Sequence, residues 1–490
     1  MLSCINSVVL VGARPRRVSV EAFVGGGKPK LVIVGLPDTA VREATQRVRA
    51  AIQASGHGFP GRLVIVNLAP ADVPKGGSAY DLPIALAILA ASGVIPKESA
   101  DLVALGELAL DGSVRFARGG LGAAMVAEEM GLSCLLPPLS AAEAGSLGSA
   151  DRLHAVSSLR EAIEVINGGS SGSPVPELAS AGIAVADLAE VRGQSMARRA
   201  MEIAAAGGHH ILMTGPPGAG KTMLSRCLPG ILPNLSGTVV GETALTWAAA
   251  GLARPDPYLV PFRSPHHSAS LAALIGGGSG IPVPGETALA HNGVLFLDEL
   301  GEFPVHLLDS LRQPMEEGYV VVSRKGASVR FETRFQLVAA TNPCPCGYEG
   351  DQLKQCECSP QAVNKYRRRL SGPLVDRFDI LVRVPRVESV EMAGEPGEPS
   401  ADVAARVTAA RKRQRSRSRL NSRLGRSELD ELHWHDEVGR MLELAMKQSA
   451  LTARGWDRVR RVAATIADLE ESDLIGGAHV AEALAYRGQR

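Results

Sequence analysis

The chain has 490 residues, 45% hydrophobic and 21% charged, with 52 Lys+Arg against 51 Asp+Glu for a net charge of +1. That length predicts about three domains, and a near-zero charge excludes a bulk polycation that coats nucleic acid by charge alone. Seven cysteines are too few for a disulfide scaffold, so any cysteine chemistry must come from a local cluster.

At the start, MLSCINSVVLVGARPRR places its charges after the apolar run, the reverse of a secretory signal. Val18, Val20, Ala22 and Val24 alternate with Ser19, Glu21 and Phe23, a strand period. LVIVG (31–35) and RLVIVNL (62–68) are short β-branched runs, and 39–56 reads as a helix ending at a Gly. The longest apolar stretch, Leu82–Pro96, is shorter than the roughly 18–20 residues that span a bilayer. A soluble cytoplasmic protein with no membrane partner is expected.

Gly168–Glu177 is rich in Gly, Ser and Pro and predicts a flexible linker. Gly394–Ser400 is a weaker break. The predicted organisation is therefore a domain over 1–167, a linker over 168–184, a domain over 185–388, a linker over 389–400 and a domain over 401–490. The first segment mixes strands and helices. In the second, HILMT (210–214), GVLFLDE (293–299), FQLVAATN (335–342) and FDILVRV (378–384) are bounded apolar runs, as in a parallel sheet covered on both faces. In the third, Val459, Val462, Ala463, Ile466 and Leu469 follow helical spacing. The fold class is α/β, with a helical C-terminal domain.

Gly215–Thr222 reads GPPGAGKT, between a predicted strand and a predicted helix. In that context Gly215, Pro216, Pro217, Gly218, Ala219 and Gly220 form a loop whose N–H groups wrap phosphates. Lys221 then neutralises the β- and γ-phosphates, and Thr222 ligates Mg²⁺. About 75 residues on, VLFLDE ends a buried strand on Asp298 and Glu299. Asp298 suits Mg²⁺ coordination through water, and Glu299 suits polarising the attacking water. Asn342, after a third strand, can orient that water or simply cap the strand.

Cys344, Cys346, Cys356 and Cys358 form C-x-C-x9-C-x-C, four thiolates that can close a tetrahedral zinc site. Free thiols and redox use remain alternatives. Cys4, Cys134 and Cys227 are scattered and read as small buried hydrophobes. YVVVS (319–323) and SVRFE (328–332) predict a hairpin with Arg324 and Lys325 near its tip. Arg411–Arg426 holds eight basic residues and no acid, a nucleic-acid patch or a solvated face, and Lys365–Arg369 is a second basic cluster.

Together the stretches RSPHHSAS (263–270), PGETALAHNGVLFLDEL (284–300), LRQPMEEGYVVVSRKG (311–326), ATNPCPCG (340–347) and LSGPLVDRFDI (370–380) resemble the magnesium-chelatase-like branch of the AAA+ ATPases, near the MCM helicases. The whole layout resembles the YifB/ComM family, AAA+ ATPases with a Lon-protease-like N-terminal domain. The resemblance implies ATP and Mg²⁺ as cofactors, a homo-hexameric ring, and branched or single-stranded DNA as partner, as in ComM branch-migration helicases. It implies Asn342 as sensor 1, Arg377 as an arginine finger acting on a neighbouring subunit, and Arg454, or Arg458 one turn on, as sensor 2. An ion pair of Arg377 with Asp376 or Asp379 is the plainer role for that arginine. The resemblance also places Arg324 and Lys325 against the DNA backbone, where a cation makes sequence-independent phosphate contacts.

PKGGSAYDLPIALAILA (74–90) and GELALDGSVRFARGGLGAA (106–124) resemble segments of Lon. Ser78 falls near the nucleophile position, but Gly122 stands where the catalytic lysine belongs, and Lys75 is not the family base. A serine nucleophile needs a base within reach, so the domain is expected to lack peptidase activity. The alternatives to a DNA motor are a chelatase-type ATPase subunit that remodels a protein partner and, further off, an ATP-dependent protease.

Overall fold

The computed structural model of the chain describes every residue except 74, 97–100, 146–151, 177–184, 253, 255, 279–280, 325–326, 352, 370–371, 388–390, 393, 450–451 and 488–490. The alternating residues of the N-terminal segment build a seven-stranded mixed sheet. Strands Leu2–Val11 and Arg14–Gly25 form a long hairpin at its centre. Strands Lys30–Val34 and Leu63–Ala69 continue it on one side, and Leu102–Ala104, Ser133–Leu136 and Leu153–Ala155 on the other. Helix Thr39–Ala54 begins where the Asp38 carboxylate accepts the Val41 N–H at 2.8 Å, and it stops at Ser55, one residue before the predicted Gly56. The apolar stretch too short for a membrane is helix Asp81–Ala91, with all its residues buried. Among the described residues no helix is long and apolar enough to cross a membrane. Cys134 and Cys227 are buried as expected, but Cys4 is exposed, because it falls on the outward phase of its strand.

The predicted linker is not free over its first half. The Ser173 N–H donates to the Ala155 carbonyl at 2.8 Å, and its hydroxyl donates to Glu161 at 2.8 Å.

The second segment forms a five-stranded sheet in the order Phe262–Arg263, Val294–Leu297, Gln336–Thr341, Ile211–Thr214, Ile380–Arg383, with every pairing parallel. The four predicted runs are all present; the two-residue edge strand was too short to read. Because strand side chains alternate, Ile211, Met213, Phe296, Val338 and Ile380 face one layer and Leu212, Leu295, Leu297, Leu337 and Leu381 the other. Helices Ser195–Gly207 and Lys221–Ile231 cover the first face.

The C-terminal helices Ser400–Ser416, Glu437–Ser449, Ala453–Leu469 and Gly477–Ala485 complete that same core, which Val403, Val407, Val459, Val462 and Ile466 enter directly. Buried polar bonds fasten them. His209 bridges Asp379 at 3.2 Å and Thr465 at 2.7 Å, and Arg458 lies 3.4 Å from Asp379.

The Arg411–Arg426 run has a role that neither alternative covered. Arg413 pairs with Asp473 at 2.5 Å, Arg417 with Asp468 at 2.5 Å, Arg419 with Glu428 at 3.1 Å and Arg426 with Asp457 at 3.2 Å. Arg411 donates to the Ala205 carbonyl at 2.8 Å, and burial beside Arg415 and Arg423 pushes its guanidinium down to about 9. Acids 9 to 60 positions away in sequence pair with half of the block's basic residues.

The predicted hairpin spans Tyr319–Arg324 and Ala327–Glu332, with Arg324 opposite Ala327. Its inner face, Val320, Val322, Val329 and Phe331, packs on Ala288 and on Val11 of the N-terminal hairpin. The outer face is solvated, with Arg330 stacked on Tyr319 at 3.8 Å.

Candidate functional site

The C-terminal ends of the parallel strands gather the predicted side chains. Gly215–Gly220 joins strand Ile211–Thr214 to helix Lys221–Ile231. Gly218 and Gly220 have φ of +79° and +86°, the left-handed region that favours glycine. Lys221 is buried in this loop. Its Nζ donates to the Gly215 carbonyl at 2.6 Å, the Pro216 carbonyl at 2.9 Å and Asn342 Oδ1 at 3.2 Å. Burial pushes its ammonium down to about 8, against the pull of Asp298 and Glu299. Thr222 Oγ1 donates to Asp298 Oδ2 at 2.7 Å. Loop, lysine, hydroxyl, carboxylates and amide therefore meet at one place.

Glu299 sits at φ +52°, an uncommon conformation for a residue with a side chain. Its carboxylate is solvent-accessible and its Oε2 lies 3.4 Å from His267 Nδ1. His267 lies against His266 with ring centroids 4.0 Å apart and the planes tilted by 35°. Spacing arguments gave His267 no role; the only signal was the paired histidines in RSPHHSAS.

Arg377 and Arg454 do not join this group. Arg377 precedes strand Ile380–Arg383 and lies at the opposite, N-terminal edge of the sheet. There it pairs with Glu316. It lines a cleft of 770 Å³ with Arg334, Asp379, Arg415, Arg423 and Arg458. Arg458 is committed to Asp379, whereas Arg454, in the first turn of helix Ala453–Leu469, is exposed.

The four cysteines come together. Cys344 Sγ lies 3.4 Å from Cys346 Sγ and 3.6 Å from Cys356 Sγ, and all four sulfurs fall within 4.8 Å of one another. These distances far exceed a disulfide bond. A Zn–S bond of about 2.3 Å implies sulfurs roughly 3.8 Å apart in a tetrahedron, so the donor set fits a thiophilic divalent cation. N–H donors from Tyr348 and Glu357 pull Cys346 down to about 6, whereas Cys356 and Cys358, despite their own N–H donors, are pushed up by burial and the neighbouring thiols, so the thiolate character is concentrated on Cys346. Among the described residues this is the one group of three or more His, Cys, Asp or Glu side chains that could hold a metal.

In the N-terminal domain, the Ser78 hydroxyl donates to Glu107 and not to an amine. Lys75 is fully buried and its ammonium donates to the Pro70 carbonyl. A Cβ at Gly122 would come within 2.9 Å of Leu10 and 3.1 Å of Pro15, so the position is packed against a lysine. Arg324 is exposed and donates to the adjacent Ser323 carbonyl at 3.2 Å; Lys325 lies outside the described residues. Arg367 of the Lys365–Arg369 cluster pairs with Glu349 at 2.8 Å. His433 and His435 are at the surface.

Three family models match: "Magnesium chelatase, subunit ChlI" over 187–392, "Subunit ChlI of Mg-chelatase" over 20–140, and "Magnesium chelatase, subunit ChlI C-terminal" over 397–487. The fold and these matches define a magnesium-chelatase-like AAA+ ATPase. Among similar proteins, "Uncharacterized protein YifB" of Salmonella typhimurium is 42% identical over 99% of this chain and 97% of its own length. "Competence protein ComM" of Haemophilus influenzae is 40% identical over 99% of this chain and 97% of its own. "Probable DNA helicase MCM9" of Oryza sativa subsp. indica is 26% identical over 35% of this chain and 21% of its own. The chain belongs to the YifB/ComM family.

Proposed function

We propose that the protein is an ATP-hydrolysing motor that assembles as a homo-hexameric ring and acts on DNA, as a helicase or translocase. The observation that carries this reading is the convergence of Lys221, Thr222, Asp298, Glu299 and Asn342 at one edge of the sheet, with Arg377 at the other. Gly215–Gly220 wraps the phosphates through its N–H groups, and Lys221 turns from the loop carbonyls to the γ-phosphate. Thr222 and Asp298 hold Mg²⁺, Glu299 polarises the attacking water with His267 beside it, and Asn342 orients that water. Phosphoryl transfer is mostly positioning and charge stabilisation, and these residues supply both.

Strand Ile380–Arg383 separates Arg377 from the nucleotide edge by its four residues, at roughly 3.3 Å each. Arg377 therefore serves a neighbouring subunit's nucleotide, and turnover requires assembly. Arg454, exposed on the same side, acts with it as sensor 2. Cys344, Cys346, Cys356 and Cys358 hold a structural Zn²⁺. Arg324 and Lys325 present the hairpin tip to the DNA backbone, sequence-independently. The competence and helicase names of two relatives support DNA as the partner.

The chelatase family models support a second reading, a subunit that remodels a protein partner. Unwinding of branched DNA by the purified protein, with Lys221→Ala as control, separates the two. ATP hydrolysis without DNA binding or movement overturns the motor and leaves the remodelling subunit.

A further inference from the structure

The four-cysteine loop touches the glycine-rich loop. The described residues of 342–359 contain no helix or strand, and an irregular connection of that length is uncommon unless it is functional or a linker. Its first cysteine follows Asn342 by two positions. The turn at Gly347, closed by its N–H on the Cys344 carbonyl at 3.0 Å, lies close to Pro217. A Cβ at Gly347 would sit 2.6 Å from Pro217 Cδ and 3.8 Å from Asn342 Cγ, and φ there is +85°. Only glycine permits that approach.

The same loop grips the other flank of the glycine-rich loop. Asp351 pairs with Arg386 at 2.7 Å, and Lys354 and Arg386 lie over the Tyr348 ring at 4.2 and 5.5 Å. Arg386 lies two positions after Val384, whose N–H donates to the carbonyl of Thr214, the residue before Gly215, at 2.8 Å. The loop thus meets the phosphate cradle at Pro217, at Asn342 and through the end of strand Ile380–Arg383.

Without a cation, among the described residues the two cysteine pairs, 344/346 and 356/358, are joined by weak thiol contacts and by N–H bonds to sulfur such as Cys346 N–H to Cys358 Sγ at 3.3 Å. With one, four bonds fix the loop and therefore the Gly347 turn.

We propose that the cysteine loop is a metal-controlled element of the nucleotide site. A thiophilic divalent cation of the zinc class, held by Cys344, Cys346, Cys356 and Cys358, seats Gly347 against Pro217 and so sets nucleotide affinity. This rests on the ATPase and zinc readings above. The coupling is reciprocal by thermodynamic necessity: bound nucleotide tightens the metal by the factor with which metal tightens nucleotide.

The test uses the full-length protein, Zn²⁺ and a non-hydrolysable ATP analogue. Stripping the metal with a chelator should weaken analogue binding roughly 5- to 150-fold, the usual range for coupled sites, and added Zn²⁺ should restore it. Chelator competition on the loaded protein should show Zn²⁺ held tighter by that same factor when the analogue is present. This arm decides even where the stripped chain unfolds. Gly347→Ala should still load Zn²⁺ but lose the coupling. Zinc that binds with no mutual effect overturns the coupling and leaves the zinc reading intact. No zinc at all removes both. Loaded protein that binds the analogue no better than Lys221→Ala overturns the ATPase reading instead.

Discussion

The two edges of the five-stranded sheet use similar polar side chains for opposite ends. At the C-terminal edge, Lys221, Thr222, Asp298 and Asn342 bond to one another and to loop carbonyls that a phosphate or metal can displace. At the N-terminal edge, the polar groups are committed. His210 is pushed down to about 4 by burial and accepts the Leu337 N–H at 2.9 Å as a neutral ring. Asp379 is buried, which works against its charge, yet His209, His210 and Arg458 hold its carboxyl at about 2. One edge is poised for a ligand; the other staples helices Ser400–Ser416 and Ala453–Leu469 to the sheet. Arg377 is one exception, since Glu316, with which it pairs, is half-exposed.

That exception gives the largest expected effect. Arg377→Ala should lower turnover by about 10³–10⁵-fold, the range for an arginine finger, with ATP binding intact. Mixing it with Lys221→Ala should restore part of the turnover, because some interfaces then pair an intact loop with an intact arginine. Full turnover by assembled Arg377→Ala would make Arg377 one more staple. Next comes Glu299→Gln, expected to bind ATP and cut phosphate release by about 10²–10³-fold, as for loss of one well-placed polar group. Weakened binding with unchanged release from the bound state would move Glu299 from chemistry to binding.

The ligand-facing edge was far more legible in the sequence than the stapled one, for a physical reason. Gly215–Thr222 and Val294–Glu299 are local: an apolar run forces a buried strand, and the polar residues that follow must emerge at its end. The staples depend on partners distant in the chain. Nothing near Arg417 announces Asp468, and nothing near His209 announces Thr465. The basic run therefore looked free of acids when folding supplies them. His267 escaped for the same reason, since its approach to Glu299 closes only in three dimensions. Likewise the break at Gly394–Ser400 marks a change of composition, not of core, because the C-terminal helices bury their apolar faces on the sheet's own helices.

A smaller effect follows from Lys221. Its free-state value of about 8 lies below that of an ordinary lysine because burial disfavours the charged form. Phosphate binding requires that charge. ATP affinity should hold steady below pH 8 and fall as pH rises above it, by up to about tenfold per unit. Lys221→Arg retains its charge throughout, so whatever its absolute affinity, its profile should stay flat across titration from pH 6.5 to 9.5. A wild-type profile equally flat would show that the loop carbonyls keep Lys221 charged.

The smallest effect separates a ligand-facing arginine from a stapling one. Arg324 is exposed and donates to its neighbour's carbonyl, whereas Arg417 holds the buried Asp468 at 2.5 Å. Each phosphate contact releases about one counterion, so Arg324→Ala should weaken DNA binding a few-fold and lower the slope of log affinity against log salt by about one. Arg417→Ala should leave that slope unchanged and instead lower unfolding stability by about 1–2 kcal/mol, through a less satisfied buried carboxylate. Salt-dependent binding and denaturant melts of both variants check the pair. A slope lowered by Arg417→Ala and not by Arg324→Ala would reverse the assignment and return the basic run to the DNA, with Asp468 its resting partner.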